Sequence, residues 1–315
     1  MLSQAIKVLI EKGWAARVTN FPPTIGFDYP VRTESISVTG TACALNCAHC
    51  GGHYLKGMKN LKECQTVLAK EAWIARTDGI ARLEGTDRPG AETLVAQPTS
   101  FLISGGCTPD GRVPFLPHQD VLREVKAQAR LNFHVGLIGD EEILALKELA
   151  NVVSFDFVAD QETIEEVYGL NKTPEDYRDA YVRLRRVVKV IPHLTLGLKG
   201  GQWRGEEKAL DVLEELGLDG LVFLVFIPTA GTHYAERKPP DVEDVIAFLA
   251  KARLRFPQIP LILGCMRPKG RYRQILDEAA VALGINRIVL PTPGARALAE
   301  KRGLAVVKGE ECCAL

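Results

Sequence analysis

Short apolar runs alternate with amphipathic stretches along most of the chain. Candidate strands occupy residues 34–39, 100–104, 133–138, 152–158, 190–198, 221–227, 260–264 and 287–290, each rich in β-branched or aromatic residues. Between them the apolar period changes to that of a helix. Val121, Leu122, Val125 and Ala129 share a face, and Val242, Val245, Ile246 and Leu249 recur at i, i+3, i+4 and i+7. Thr173 followed by Pro174 reads as a cap and first turn. Strand alternating with helix predicts an α/β fold with a parallel sheet and helices outside it. Eight such strands in 315 residues favour a closed (β/α)8 TIM-type barrel, with an open doubly wound sheet as the alternative.

The flanks read differently. Leu2, Ile6, Leu9 and Ile10 recur at helical spacing, interrupted by Lys7, Glu11 and Lys12, so this end predicts a helix and not a signal peptide. The expected division is a helical extension over 1–33, the barrel over 34–303 and a tail with a cysteine pair over 304–315. Within the barrel, 51–99 is a long connection. A helix is expected over 61–76, with Cys64 as a packed small hydrophobe, followed by a polar surface loop, EGTDRPGAET.

Charge and hydropathy narrow the function classes. Thirty-nine basic residues balance 39 acidic ones, so no broad electrostatic footprint for nucleic acid is present. Nowhere do about eighteen apolar residues run together, so no membrane span is expected and the protein reads as cytoplasmic. Eight cysteines in a chain of this length do not suggest a disulfide scaffold, because such scaffolds replace a core that a short chain cannot build. Clustered thiols in a reducing compartment point instead to metal or redox chemistry.

Three of them, Cys43, Cys47 and Cys50, stand in "GTACALNCAHCGGHYL" at the spacing C-x3-C-x2-C, just after the first predicted strand. In a β/α barrel the loops after the strands carry the chemistry. Three thiolates can hold three irons of a cubane cluster and leave a fourth iron open. Zinc is the rival, with His49 or His53 as fourth ligand, and a set of packed thiols is a third reading.

This loop resembles the signature of the radical S-adenosylmethionine superfamily. The resemblance implies that Cys43, Cys47 and Cys50 bind a 4Fe–4S cluster. Its open iron takes the methionine end of S-adenosyl-L-methionine, and one electron then yields a 5′-deoxyadenosyl radical. Family sequences carry a Gly-Gly-Glu-like stretch after the second strand; this chain has Ser104, Gly105 and Gly106, with Cys107 in place of the carboxylate. Gly197 and Gly200 resemble the places where the family cradles ribose and adenine. Asp160, Lys199, Glu206 and Arg267 are polar candidates for binding S-adenosyl-L-methionine or substrate, with solvated rim residues as the plainer reading. His134 and His193 lie inside predicted strands and read as satisfied core histidines.

Cys107 and Cys265 end predicted strands, and "GEECCAL" is a tail short enough to fold over the same rim. Cys107, Cys265, Cys312 and Cys313 are therefore candidate ligands of a second, auxiliary 4Fe–4S cluster; the alternative is a vicinal pair plus packed thiols. With "SGGCTPDGRVP", "GCMRPKGRYR" and "ECCAL", the chain resembles biotin-synthase-like proteins that act as a two-protein lipoyl synthase. That resemblance implies sulfur insertion into an octanoyl chain on a lysine of a lipoyl carrier protein. A sister radical enzyme and a low-potential electron donor are the other expected partners. Competing expectations are a biotin synthase, a radical methyltransferase, a carbon–carbon bond-forming enzyme, or an iron–sulfur or zinc module without catalysis.

Overall fold

A computed structural model describes residues 2–63, 73–75, 93–95 and 98–315. The strands are β1 Thr24–Asp28, β2 Thr33–Ser37, β3 Trp73–Ala75, β4 Thr93–Val95, β5 Ser100–Ser104 and β6 Arg130–Phe133. They continue as β7 Val152–Asp156, β8 Val190–Leu196, β9 Leu221–Val225, β10 Leu261–Leu263, β11 Arg287–Val289 and β12 Ala305–Gly309. Ten form one sheet in the order β12-β1-β11-β10-β9-β8-β7-β6-β5-β2, and each pairing in it is parallel.

The two edges of this sheet approach each other. The Arg32 N–H donates to the Glu310 carbonyl at 2.9 Å, and the Cys312 N–H donates to Thr33 Oγ1 at 2.7 Å. The sheet therefore curls into a TIM-like barrel, and the chain after β12 bridges the gap between its edges. The expected α/β barrel is present with ten strands. Two of them lie in segments read from sequence as helical extension and tail. β1 is short and contains a glycine; β12 is a largely exposed edge strand, so neither carries a strong apolar pattern.

Side chains alternate across the strands. Phe101, Ile103, Leu131, Phe133, Val153, Phe155 and Phe223 point outward into the core shared with the helices. That core is closed by helices in the crossovers. Pro174–Arg185 opens on Thr173, whose Oγ1 accepts from the Asp176 N–H at 3.3 Å while the Asp176 carboxylate accepts from the Thr173 N–H at 2.7 Å. Helix Gln4–Asn20 packs against Val242–Arg255 and Arg271–Leu283, and its buried Arg17 donates to the Thr24 carbonyl, tying it to β1.

Inward positions are of two kinds. Those on β5 to β8 include Ser100, Asn132, Ser154, Asp156 and His193, all polar. A second apolar cluster comprises Val152, Ile191, Val222, Ile262 and Val289 with Cys313 and Ala314 of the tail. Val152, Ile191, Val222 and Ile262 stand at the first or second place of their strands, so the tail enters from the N-terminal end of the barrel. The expectation that it folds over the C-terminal rim is overturned. The apolar side chains at that end offer Ala314 and Leu315 a buried seat. Arg287, at the start of β11, donates to the Cys313 carbonyl, and Glu311 meets Thr99 and Arg130.

Other expectations shift locally. The run over 133–138 leaves the sheet after Phe133, because Gly136 adopts φ +69° and a Cβ there would collide with the Gly111 carbonyl. Where a helix was expected to reach residue 76, Trp73–Ala75 pairs antiparallel with Thr93–Val95. Cys64, most of that helix and the polar loop up to residue 92 lie outside the described residues. Among the described residues, no helix is long and apolar enough to cross a membrane.

Candidate active site

The three-cysteine loop follows β2 and is held by its backbone. Cys50 and Gly51 both donate to the Cys47 carbonyl, at 3.0 and 2.8 Å. Asn46, at φ +47°, takes the left-handed turn that asparagine tolerates. Outside anchors fix the loop against the segments that follow β5, β7 and β9: Ala44 donates to the Cys107 carbonyl, Ala48 to Val167, and Tyr234 to Ala48. Gly106 is demanded by this packing, since a Cβ would run into the Ala42 carbonyl; its N–H donates to Thr39 Oγ1 at 2.7 Å. Ser104 donates from Oγ to the His134 carbonyl at 2.8 Å, and Gly105 packs against Thr39 and Val113.

Cys107 belongs with this loop. Its N–H donates to the Cys43 Sγ at 3.4 Å, and the charge of Cys43 acts on its own thiol. Cys107 thus packs directly on the three-cysteine loop. Burial, then the fields of Cys107, Cys50 and Cys43, pushes the Cys47 thiol up to about 12. Cys107 is raised to about 12 in the same way. Packing thiols this closely opposes their ionisation, and bound cationic metal reverses that penalty. His49 Nδ1 is buried without a hydrogen-bond partner.

The donor spacing bears on which metal fits. Among the described residues, no three His, Cys, Asp or Glu side chains converge on a point as one metal ion requires. Tetrahedral zinc needs its donors about 2.0–2.3 Å from a single centre. A cubane instead spreads its thiolates over several irons, so three loop cysteines fit a cluster better than zinc.

A second set of thiols lies apart from this loop: Cys312 and Cys313 on the tail inside the curled sheet, and Cys265 after β10. Burial, then the Cys312 charge, raises the Cys265 pKa. Cys312 accepts from Asn132 Nδ2 at 3.4 Å and is lowered by the hydrogen bond from Cys313, which outweighs its burial. Cys313 is raised correspondingly.

His134, expected to be a satisfied core histidine, pairs instead with Asp156 at the end of β7. His134 Nε2 meets Asp156 Oδ2 at 3.0 Å, with both side chains 38% exposed. Burial works against the Asp156 charge, but the charge and hydrogen bond of His134 outweigh it and hold the carboxyl at about 2. His134 is raised, since Asp156 outweighs the burial that opposes its charge. His193 stacks on His134 at 6.4 Å, is lowered to about 4 by burial, and uses Nδ1 on the Ile191 carbonyl. Sequence gave one signal: His134 and Asp156 lie at or just past the C-terminal ends of adjacent parallel strands.

Several other candidates turn out to build the site. Asp160 caps the turn after β7, accepting from Thr163 N–H and Oγ1 at 2.9 and 2.7 Å. Gly197, at φ +69°, abuts Pro240 and donates to Glu206 Oε1 at 2.9 Å, while Gly200, at φ +60°, abuts Arg237. Glu206 thus fastens this glycine loop and is 5% exposed. Lys199 pairs with Glu162 and Glu166. Arg267 is fully buried against Asp277 at 2.7 and 2.9 Å, so its role is structural.

No family model and no curated relative matches this sequence. Solved structures do. Methylornithine synthase (PylB) matches over 98% of this chain and 91% of its own, with TM-score 0.61 and 14% identity. The chain shares its fold. The hydrogenase maturase HydG from Carboxydothermus hydrogenoformans has TM-score 0.64 and 15% identity over 92% of this chain and 64% of its own. Streptococcus suis SuiB, solved with S-adenosylmethionine bound, gives TM-score 0.51 and 14% identity over 78% and 52%.

Proposed function

We propose that the protein is a radical S-adenosylmethionine enzyme that inserts sulfur, acting as one component of a two-protein lipoyl synthase. The observation that carries this reading is the three-cysteine loop after β2 with Cys107 packed on it, together with the tail that seats Cys312 and Cys313 inside the curled sheet. Cys43, Cys47 and Cys50 would hold a 4Fe–4S cluster with S-adenosyl-L-methionine, which together supply a one-electron cleavage that gives the 5′-deoxyadenosyl radical. Cys265, Cys312 and Cys313 would hold the auxiliary cluster, the sulfur source. Cys107 and the Gly105–Gly106 turn position the upper loop, and the barrel wall shields the reacting carbon from water. The substrate would be an octanoyl chain on a carrier-protein lysine, with its tip against Leu224, Leu290 and Leu315 in the apolar half of the wall. A sister enzyme would add the other sulfur, and a low-potential donor would supply electrons.

A second reading, another radical reaction on a more polar molecule, is favoured by Ser104, His134, Ser154 and Asp156 on the opposite wall. One experiment separates them. Anaerobically reconstituted protein, reduced with dithionite, is given S-adenosylmethionine and an octanoyl-lysyl carrier peptide. Sulfur insertion yields 5′-deoxyadenosine and a peptide heavier by sulfur; 5′-deoxyadenosine with an unchanged peptide supports the second reading. No cleavage of S-adenosylmethionine overturns both.

A further inference from the structure

We infer that Tyr234 and Glu166 are positioning residues for the three-cysteine loop: they close a clasp around Ala48, the residue after Cys47, and hold the loop in the form that receives iron. This rests on the reading of Cys43, Cys47 and Cys50 as a cluster site. Neither residue touches the thiols or carries out a chemical step. Their part is to order the backbone between the second and third cysteines before metal enters.

Connectivity is the first support. Ala48 is gripped at both of its peptide groups: its N–H donates to the Val167 carbonyl at 2.7 Å, and its carbonyl accepts from the Tyr234 N–H at 3.0 Å. Val167 follows β7 and Tyr234 follows β9, so the grips come from two separate loops. Those loops are joined in turn, because the Tyr234 hydroxyl donates to Glu166 Oε1 at 2.6 Å. Glu166 is the chain neighbour of Val167. Ala48, Val167, Glu166 and Tyr234 thus form a closed circuit, in which the hydroxyl–carboxylate bond is the link made by side chains alone. Lys199, from the loop after β8, reaches Glu166 at 3.3 Å and Glu162 at 2.6 Å, and so braces the acceptor.

Local form is the second. Ile164–Tyr168, which carries both Glu166 and Val167, is a π-helical turn, an uncommon shape that recurs at functional sites. The Tyr234 ring is buried edge-on against Phe226 at 5.8 Å, with the Arg237 guanidinium 5.7 Å from its centre. Packing of this kind asks only for a phenyl ring, so the hydroxyl is free to serve the bond to Glu166. The same loop after β9 meets the segment beyond Cys50 again, where Tyr54 Oη and Thr229 Oγ1 share a hydrogen bond at 3.0 Å. Bonds already made in the free chain remove part of the ordering cost that metal binding would otherwise carry.

The test compares wild type with Tyr234→Phe, Glu166→Ala, the double variant and Glu166→Gln. Tyr181→Phe is the control, since its hydroxyl donates to the Gly217 carbonyl instead. In the iron-free chain, amide hydrogen exchange at Ala48 should run about tenfold faster in Tyr234→Phe and in Glu166→Ala. The double variant should be no faster, because the same link is cut in all three. Glu166→Gln keeps an acceptor oxygen and should stay within about threefold of wild type. Tyr181→Phe, and the amides of β5 to β8 in every variant, should match wild type. In reconstituted protein carrying alanine at Cys265, Cys312 and Cys313, a chelator should strip iron faster in the same order. Unchanged exchange at Ala48 in Tyr234→Phe, additive effects in the double variant, or an equal effect of Tyr181→Phe overturns the clasp. Equal iron loss from wild type and Tyr234→Phe overturns its role in holding the cluster. A wild type that takes up no iron overturns the cluster reading itself, a failure that the exchange rates keep separate from that of the clasp.

Discussion

Cys43, Cys47 and Cys50 come together within one loop, whereas the lower group of Cys265, Cys312 and Cys313 draws two of its members from the end of the chain, threaded back into the barrel. The upper group is held by local backbone hydrogen bonds and by close packing against Gly106. The lower group depends on a tail fixed by Thr33, Thr99, Arg130 and Arg287, residues from four strands or their approaches. A site built by local turns survives damage elsewhere, while a site built by topology fails when its threading fails.

That contrast can be broken most severely at its upper side. Replacing Cys43, Cys47 and Cys50 together with alanine should abolish 5′-deoxyadenosine formation while leaving the lower group able to bind iron, which iron analysis and product chromatography check. Asp277→Asn comes next. It strands the Arg267 charge in the core and should cost about 3–5 kcal/mol by denaturant unfolding, with both sites affected through the fold. Gly106→Ala should cost about 1–3 kcal/mol, since the Ala42 carbonyl must move, and should lower iron at the upper group selectively. Removing residues 311–315 should empty the lower group yet leave cleavage of S-adenosylmethionine intact.

The smallest effect is one of pH. Asp156 is depressed to about 2, so its contribution is present above the ordinary carboxylate range and is lost as pH falls toward 2. His134 is raised, so its contribution is full below an ordinary imidazole pKa and is lost as pH rises through the folded value. Wild type should therefore lose more stability than Asp156→Asn at both extremes, read by thermal unfolding across pH. Equal profiles would show that the pair carries no net charge coupling.

The same contrast explains what could be read from the sequence. Seven of the eight predicted strands and the cysteine loop were legible because each is encoded locally, by apolar runs and by spacing; the strand expected over 133–138 lies at Arg130–Phe133, ahead of its apolar run. β12 was not, because an exposed edge strand needs no apolar alternation; four of its five residues are exposed. The contact of Cys107 with Cys43 was not legible, because a strand-end position says which rim a residue occupies, not which neighbour it faces. The direction of the tail was hidden for the same reason: only the curled sheet offers Ala314 and Leu315 their apolar seat. His134 looked like a core histidine because its partner, Asp156, lies across a strand pairing.

The proposed function requires two separately held clusters. Iron and sulfide should be counted in anaerobically reconstituted wild type, in the Cys43/Cys47/Cys50 alanine variant and in a Cys265/Cys312/Cys313 alanine variant. The account predicts about eight irons per wild-type chain and about four in each variant. About four irons in wild type, unchanged by the lower substitutions, would contradict it.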